Sequence, residues 1–362
     1  MLRVLISDFN IVDEMLSGRS VLDFALSVPK DIQLHFAFNK KCELYNNLTG
    51  HGFDCTIVAY GTEASRFQRV ISFIRAVMSM THLALRFKPE IIHGNNLMAS
   101  RVVVIVAKLL RIPSVVQLRN PYVPKRQSWV LELCDRIYCV SNYLKEHVIS
   151  DNQALKAAVV YDGFCLKNFS EPDYSSKKSS DTVIVGLCSR VAYQKGVHLF
   201  CKLARSYAHD SNVIFRHLGG KSSPLLYDEY EADLKSKYID CVEWINYSNS
   251  ASEFFESIDV FVLPAVEDEA FGRVIVEAML SGVPCISTRC GGPEELITNG
   301  VSGFLVSADF VALKTVVDKL VYNADLRFEL ALNAGREARK QFLIEAYRNR
   351  IIGNYPGSSK CT

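Results

Sequence analysis

The sequence lacks the features that mark several classes of protein. It has no CxxC pair and no His/Cys spacing typical of a metal site. No apolar run reaches the roughly 18 residues that a membrane-spanning helix needs, and 101–111 is short and charged at both ends. The net charge of +2 is too small to indicate a nucleic-acid-binding field. We therefore expect a globular protein that binds no metal or nucleic acid and spans no membrane.

A disulfide framework is not expected, although the chain contains 11 cysteines. They are scattered, and several lie in apolar, strand-like runs, as Cys139, Cys188 and Cys285 do. The N-terminus shows no signal-peptide pattern. Buried reduced thiols in a cytoplasmic protein explain this distribution best.

Length and composition favour an ordinary globular protein with room for two domains, since 362 residues are 49% hydrophobic and 22% charged. The charge is uneven: residues 1–170 hold 20 Lys and Arg against 14 Asp and Glu. A basic first half favours an anionic membrane surface or a phosphorylated acceptor. A mildly basic solvated surface is an equally good interpretation.

The stretch 267–284, EDEAFGRVIVEAMLSGVP, contains the most informative pattern in the chain. A buried strand is predicted over 258–263, and helical spacing begins near Gly272. Glu269 is therefore predicted to lie in the loop before a helix N-terminus, and Glu277 within the first two turns. Open α/β sheets bind ligands in such loops, and free helical N–H groups favour anions.

Two carboxylates beside an anion-binding helix end suit a ligand that has both phosphates and hydroxyls, such as a sugar nucleotide. Glu269 and Glu277 also admit a structural interpretation, because carboxylates near a helix N-terminus stabilise the helix dipole.

The whole string resembles the glutamate-seven-residues-glutamate signature of the retaining family-4 glycosyltransferases, which have the GT-B fold. Phe-Gly at 271–272, Glu-Ala-Met at 277–279 and Gly-Gly-Pro-Glu-Glu-Leu at 291–296 match as well. The resemblance is strong over 183–306 and loose over 1–120.

The resemblance implies an α/β architecture of two doubly wound, Rossmann-like parallel-sheet domains that face each other across a cleft. The first is expected over 1–169 and the second, which binds the nucleotide sugar, over 170–345. The polar stretch 170–182 marks the linker. A C-terminal helix over 346–362 is expected to pack back on the first domain, with apolar contacts from Phe342, Ile344 and Tyr347.

The family pattern also assigns roles in the second domain. Arg190 and Lys195 match its Gly-Arg-Leu…Lys-Gly motif and would clamp the donor diphosphate. Glu277 would accept hydrogen bonds from ribose hydroxyls, and Glu269 from hydroxyls of the donor sugar. Further donor-binding positions are the N–H groups near Phe271 and Gly272, the strand-end Gly219, Ile245 near the base, and Gly18. In the loop of Gly18 the family usually has paired glycines.

The first domain departs from the family pattern in the loop of Gly18, which has one glycine in place of the usual pair, and at two further positions. Arg119 stands where many members have a histidine near the reacting sugar, and Asp162 replaces an asparagine in the turn 161–164. Because arginine stays protonated, Arg119 cannot act as a base. It would hold a phosphate or stabilise the leaving diphosphate, or else form a surface ion pair. Asn120 and His93 complete the predicted acceptor side.

The implied reaction is transfer of a sugar, with retention, from a UDP- or GDP-sugar to a hydroxyl of a glycan or lipid-linked glycan. The default pathway is bacterial surface polysaccharide synthesis: lipopolysaccharide, O-antigen or capsule. No cofactor or metal is expected, despite the acidic residues 267–269. A GT-B sugar-nucleotide epimerase and a catalytically inert nucleotide-sugar-binding protein are the alternatives.

Residues 64–88 show an amphipathic helical pattern. Its apolar positions are Phe67, Val70, Ile71, Ile74, Val77 and Met78, accompanied by arginines at 66, 69, 75 and 86. Two interpretations remain open. One is a surface helix packed on the sheet. The other is a basic helix that faces the inner side of the cytoplasmic membrane.

Overall fold

The computed structural model describes residues 1–9, 18–61, 65–169, 172, 182–219, 228–246 and 251–357. The chain divides into two compact units. One contains Met1–Gly163 and Ile344–Thr362, and the other contains Phe164–Leu343. The boundaries predicted from the sequence, after residues 169 and 345, lie six and two residues later.

The first unit contains a parallel sheet in the order β3-β2-β1-β4-β5-β6-β7. Its strands are short apolar runs, and the inner strands β4 and β5 are buried along their whole length, as expected for a parallel sheet covered on both faces. The strands are β1 (Leu2–Asp8), β2 (Ile32–Phe38), β3 (Asp54–Ile57), β4 (Ile91–Gly94), β5 (Ser114–Leu118), β6 (Arg136–Cys139) and β7 (Ala157–Val159).

The second unit contains a parallel sheet in the order β10-β9-β8-β11-β12-β13. Its strands are β8 (Val183–Cys188), β9 (Val213–Leu218), β10 (Glu243–Ile245), β11 (Val260–Leu263), β12 (Cys285–Thr288) and β13 (Gly303–Val306). Helices connect successive strands in both units, so the doubly wound α/β prediction is confirmed.

The described helices are α1 (Gly18–Ser27), α2 (Glu43–Gly50), α3 (Arg66–Phe87), α4 (Leu97–Leu110), α5 (Ser128–Leu133), α6 (Asn142–Val148), α7 (Val197–Ser206), α8 (Asp228–Lys237), α9 (Ala251–Glu256), α10 (Arg273–Leu280), α11 (Pro293–Leu296), α12 (Phe310–Val321), α13 (Ala324–Gln341) and α14 (Ile344–Asn354).

Helix α14 is part of the first unit although it comes last in the chain. Ile344, Tyr347 and Ile351 are buried in the same core as Phe24 and Tyr138. Phe342 does not join them. Its ring packs against Phe271 of the second unit, with centroids 5.7 Å apart.

Each sheet reverses its strand order at one point, and polar residues of the same unit lie beside that point. In the first sheet β1 lies between β2 and β4, and in the second β8 lies between β9 and β11. The connections on either side of a reversal run in opposite directions, which opens a crevice at the carboxyl ends of the central strands. The sites described below lie at these two reversals.

Two expectations about the chain as a whole have different outcomes. The ten described cysteines are all free thiols, as predicted. By contrast, the segment Phe67–Phe87 of α3 is long and apolar enough to cross a membrane by length and composition, so the expectation that no such segment exists was wrong on that criterion. The criterion is weak, because a core helix also satisfies it, and Ala76 and Met80 of α3 are fully buried.

Candidate active site

Lys195 and Glu269 form an ion pair at the reversal of the second sheet. Lys195 ends a 3₁₀ turn, Tyr193–Lys195, that follows β8. Glu269 lies in the loop after β11, and its Oε1 contacts Lys195 Nζ. Because β8 and β11 are neighbouring parallel strands, their carboxyl ends bring together two side chains that are 74 positions apart in the chain. Both side chains keep a minor exposed fraction, 19% for Lys195 and 17% for Glu269.

The position of Lys195 depends on the glycine that follows it. Gly196 has a φ of 68°, in the left-handed region, and an added Cβ would overlap the carbonyl oxygen of Pro264 at the end of β11. Val266 N donates to Gln194 O at 2.9 Å. The loops after β8 and β11 are therefore fastened to each other beside the ion pair.

The loop of Glu269 is also fastened on its other side. Glu269 N donates to Cys290 O at 2.7 Å, and Gly292 N donates to Glu269 O at 2.9 Å. A Cβ on Gly292 would lie 2.6 Å from Ala270 O, so this close approach requires glycine. The Gly-Gly pair at 291–292 therefore holds the backbone on which Glu269 is presented.

Glu277 lies on α10, in the position predicted from the sequence. The helix begins after Gly272, which has a φ of 93°, and it has no side-chain cap. Within its first turn, Ile275 N donates to Gly272 O at 2.9 Å. Arg273 Nη2 lies 3.5 Å from Glu277 Oε1, one turn away on the same helix. The predictions that Glu269 precedes a helix N-terminus and that Glu277 lies within its first turns are confirmed.

Phe271 contributes to this site through its backbone, because its side chain is buried against Phe342. Phe271 directly precedes Gly272, after which α10 begins, so its peptide group lies beside the start of that helix. The predicted role of the Phe271 and Gly272 N–H groups in donor binding stays a prediction.

Arg190 follows β8 on the same loop as Lys195 and is partly exposed. Within the described ranges its guanidinium has no hydrogen-bond or ion-pair partner, and only its carbonyl is contacted, by Ser189 Oγ at 3.0 Å. A partly exposed cation without a protein partner suits a bound phosphate. Lys195 differs from Arg190 in this respect, because Lys195 has Glu269 as an ion-pair partner.

Gly219 permits close packing at the end of β9. A Cβ at this position would overlap the carbonyl oxygen of Ser189, and Gly219 N donates to Ile245 O at 3.1 Å. Ile245 ends β10 and is 39% exposed. These contacts connect the ends of three neighbouring strands, and the donor-binding roles of both residues stay predictions. Gly18 begins α1, but residues 10–17 before it lie outside the described part.

The thiols close to this site are not nucleophiles. Burial raises the pKa of Cys290 to about 11, and the charge of Glu269 acts in the same direction. Burial and the charge of Glu277 raise the pKa of Cys188 still further. Both sulfurs are therefore protonated near neutral pH. No group of three or more His, Cys, Asp or Glu side chains suited to a metal occurs among the described residues.

In the first unit Arg119 is a buried ion-pair partner. Its Nη1 donates to both carboxylate oxygens of Asp162, at 2.6 and 2.8 Å, and the two side chains are 10% and 3% exposed. Nη2 donates to the Tyr347 hydroxyl at 3.3 Å, and Nε to Asn95 Oδ1 at 3.3 Å. All three nitrogens of the guanidinium therefore donate hydrogen bonds to protein groups. A role toward the donor or acceptor stays a prediction.

His93 and Asn120 occupy different environments. His93 is buried, and its Nδ1 lies 3.1 Å from the Tyr355 hydroxyl. Burial, and secondarily the charge of Arg119, lowers the pKa of His93 to about 3, so the ring is neutral near pH 7. Asn120 is exposed next to Arg119. Of these two, only Asn120 faces solvent.

Three polar residues at the reversal of the first sheet were not predicted as site residues. Asp8 ends β1, and its carboxylate accepts hydrogen bonds from Asn95 Nδ2 at 2.5 Å and Asn96 Nδ2 at 2.7 Å. Asn95 and Asn96 directly follow β4, so all three residues lie at the carboxyl ends of two neighbouring strands. This cluster and the Lys195–Glu269 pair occupy equivalent places in the two sheets.

Comparisons with known proteins agree with this architecture. The family profile described as "Glycosyl transferases group 1" matches residues 170–341, and the one described as "Glycosyltransferase Family 4" matches residues 42–167. The chain is 24% identical over 352 residues to a capsular polysaccharide biosynthesis glycosyltransferase, CapM of Staphylococcus aureus, covering 90% of this chain and 89% of that protein.

A second relative is the Escherichia coli UDP-Gal:alpha-D-GlcNAc-diphosphoundecaprenol alpha-1,3-galactosyltransferase, which is 24% identical over 320 residues, 80% of this chain and 82% of that protein. Among solved structures, HepE of Anabaena in complex with UDP and glucose superposes with a TM-score of 0.80 at 19% identity, covering 97% of this chain and 98% of that one. The two profiles together cover most of both units, and the chain belongs to the family-4-like glycosyltransferases of GT-B fold.

Proposed function

We propose that the enzyme transfers a hexosyl group from a UDP- or GDP-sugar to a hydroxyl of a glycan or lipid-linked glycan, with retention of the anomeric configuration. The observation that carries this proposal is the Lys195–Glu269 ion pair at the carboxyl edge of the second sheet, directly before the N-terminus of α10. That place offers one ligand a cation and an acceptor of hydrogen bonds from hydroxyls.

Each charged side chain has a distinct part in donor binding. Arg190 and Lys195 bind the diphosphate and neutralise the charge that grows as it leaves. Glu277 accepts hydrogen bonds from the ribose, and Glu269 from hydroxyls of the transferred sugar. In the free enzyme Glu269 neutralises Lys195. A bound diphosphate would compete for the ammonium group and leave more of the carboxylate to the sugar.

The chemical step needs no base from the protein in this proposal. The bond between the anomeric carbon and the diphosphate oxygen breaks, and its electron pair stays on the diphosphate. The acceptor oxygen bonds to the same face of the sugar, and its proton passes to the leaving diphosphate oxygen. Positioning and leaving-group stabilisation supply the acceleration. Glu269 is held by Lys195, which supports a binding role for it in preference to a free nucleophile.

The pathway and location are also proposals. The names of the two relatives, which refer to capsular polysaccharide and a diphosphoundecaprenol-linked sugar, support surface polysaccharide synthesis on a lipid-linked acceptor. The free thiols suit a reducing compartment. We place the enzyme in the cytoplasm at the inner face of the membrane, and propose that it binds its donor without a metal.

The first experiment is thermal stabilisation by UDP, GDP and ADP, each with and without EDTA. The proposal expects UDP or GDP to raise the melting temperature, regardless of EDTA, and expects Lys195→Ala to lose that rise. A rise that EDTA abolishes would replace the metal-independent site with a metal site. No rise with any nucleotide would favour the inert interpretation.

The second experiment identifies the reaction. The enzyme is incubated with the stabilising nucleotide's sugar and a lipid-linked glycan, and the anomeric configuration of the product is read by NMR. Retention supports the proposal, and inversion contradicts it. Conversion of the donor sugar to its epimer without an acceptor would identify an epimerase instead.

A further inference from the structure

Helix α3 has two apolar faces, one buried and one open. Ala76, Met80, Leu83 and Ala84 point into the core of the first unit. On the other side, five large apolar side chains are between 52% and 74% exposed: Phe67, Val70, Ile74, Met78 and Leu85. We call these five residues the α3 stripe. A helix that packs one face on a core normally has polar residues on the other, so the α3 stripe is not explained by packing.

The geometry of the helix places the stripe on one side of α3, where only Thr81 interrupts the apolar side chains, between Met78 and Leu85. Successive residues are about 100° apart around an α-helix, so the five side chains fall within a sector of about 80° opposite the buried face. From Phe67 to Leu85 they extend about 27 Å at 1.5 Å per residue. Contiguous exposed apolar surface of this kind marks an interaction site.

The charges of α3 and of the segment that follows it distinguish between possible partners of the α3 stripe. Residues 65–111 contain eight Lys and Arg residues and one acidic residue, Glu90. Glu90 accepts a hydrogen bond from Arg3 N at 3.0 Å. Arg75 and Arg86 of α3 are exposed and lie about 80° and 100° from Phe67 around the helix, beside the stripe, whereas the exposed Arg69 lies about 160° away. A second copy docked on the same face would bring like charges together, whereas an anionic surface would be attracted.

We propose that the α3 stripe docks the enzyme on an anionic lipid bilayer, lying in the plane of the interface. The apolar side chains enter the boundary between head groups and acyl chains, and the arginines bind the lipid phosphates. The helix does not span the bilayer, because its opposite face is part of the protein core. This docking surface is separate from the donor-binding residues, so it does not depend on the proposed reaction.

The test measures co-flotation with vesicles of phosphatidylcholine, with or without 30% phosphatidylglycerol. We expect the wild type to bind anionic vesicles at least tenfold more tightly than neutral ones. The variant Phe67→Ser/Ile74→Ser/Met78→Ser should lose at least tenfold in binding, and Arg75→Gln/Arg86→Gln should lose the preference for anionic lipid. A control variant carries Leu155→Ser/Ile239→Ser/Val311→Ser, which removes equally exposed apolar side chains elsewhere, and should bind like the wild type.

Three outcomes would overturn the proposal: a wild type that does not bind anionic vesicles preferentially, an α3-stripe variant that binds normally, or a control variant that loses binding to the same extent. Sedimentation velocity tests whether a second copy of the chain covers the α3 stripe instead. A wild type that dimerises, with a stripe variant that stays monomeric, would assign this face to self-association. Nucleotide-induced thermal stabilisation should be equal in all variants, which separates failure of docking from failure of the donor site.

Discussion

Arg119 and Asp162 form an ion pair in the first unit, in which Arg119 Nη1 donates to both carboxylate oxygens of Asp162, at 2.6 and 2.8 Å. These are two of the positions at which the first domain departs from the family pattern, a histidine and an asparagine being usual there. The departures therefore compensate each other: a buried guanidinium is acceptable because a buried carboxylate faces it. Burial alone lowers the pKa of Arg119, but the charges of Asp162, Tyr347 and Asp8 outweigh it and the net shift is upward.

This pairing predicts strong coupling between the two residues. Arg119→His or Asp162→Asn alone leaves one buried charge without its partner and should lower the free energy of unfolding by about 3 kcal/mol. The double variant Arg119→His/Asp162→Asn should lose clearly less than the sum of the two. Urea unfolding of all four proteins measures the coupling, and additive losses would contradict it.

The ion pair in the second unit leads to a prediction about activity. Lys195→Ala and Glu269→Ala should each reduce kcat/KM by about 100-fold or more, because leaving-group stabilisation or sugar positioning is lost. The melting temperature should change little, since both side chains are partly exposed. Lys202→Ala, which removes an exposed lysine from α7, is the matched control and should retain its activity. Normal turnover in either site variant would refute the assignment.

Position 196 should require glycine because a Cβ there would overlap the backbone of Pro264, and Gly300 provides a control without such an overlap. Gly196 and Gly300 have similar positive φ values, 68° and 77°, but a Cβ would overlap Pro264 O at Gly196 and would meet nothing within 4 Å at Gly300. Gly300→Ala should cost about 1 kcal/mol for its backbone conformation. Gly196→Ala should cost roughly 2 kcal/mol more and impair donor binding. Equal losses in chemical denaturation would show that the overlap is relieved.

Two buried histidines should make the protein less stable in acid. Burial lowers the pKa of both His93 and His217 to about 3 from the usual 6.5. Between these values the unfolded chain binds protons that the folded protein does not, so the free energy of unfolding falls as the pH drops from about 6.5 toward 3. Each group contributes up to about 1.4 kcal/mol per pH unit.

The histidine variants test this dependence directly. His93→Gln and His217→Gln should each show a shallower loss of stability between pH 6.5 and 4, whatever their stability at pH 7. His82→Gln, at an exposed position of α3, is the control and should follow the wild-type slope. An unchanged slope in both buried-site variants would show that other groups dominate acid unfolding.

The site of the second unit was predictable because its signals are local. A strand of apolar residues, a loop with Glu269 and a helix starting at Gly272 follow from hydrophobic periodicity and turn chemistry within one stretch of chain. Arg190 and Lys195 were predicted from the resemblance to the family's Gly-Arg-Leu…Lys-Gly motif. What periodicity cannot show is that Lys195 and Glu269 meet, since that contact depends on β8 and β11 being neighbours in the sheet.

Hydrophobic periodicity and turn residues were enough to place Glu269 before a helix and Glu277 within its first turns, because strands, turns and helices form from residues close in the chain. The resemblance to the family added the two-domain α/β architecture. Neither showed that Arg119 is paired with Asp162, that His93 is buried against Tyr355, or that one face of α3 remains open. Those outcomes depend on which distant segments pack together and on how much water each group loses. Neither quantity is encoded in the spacing of residues along the chain.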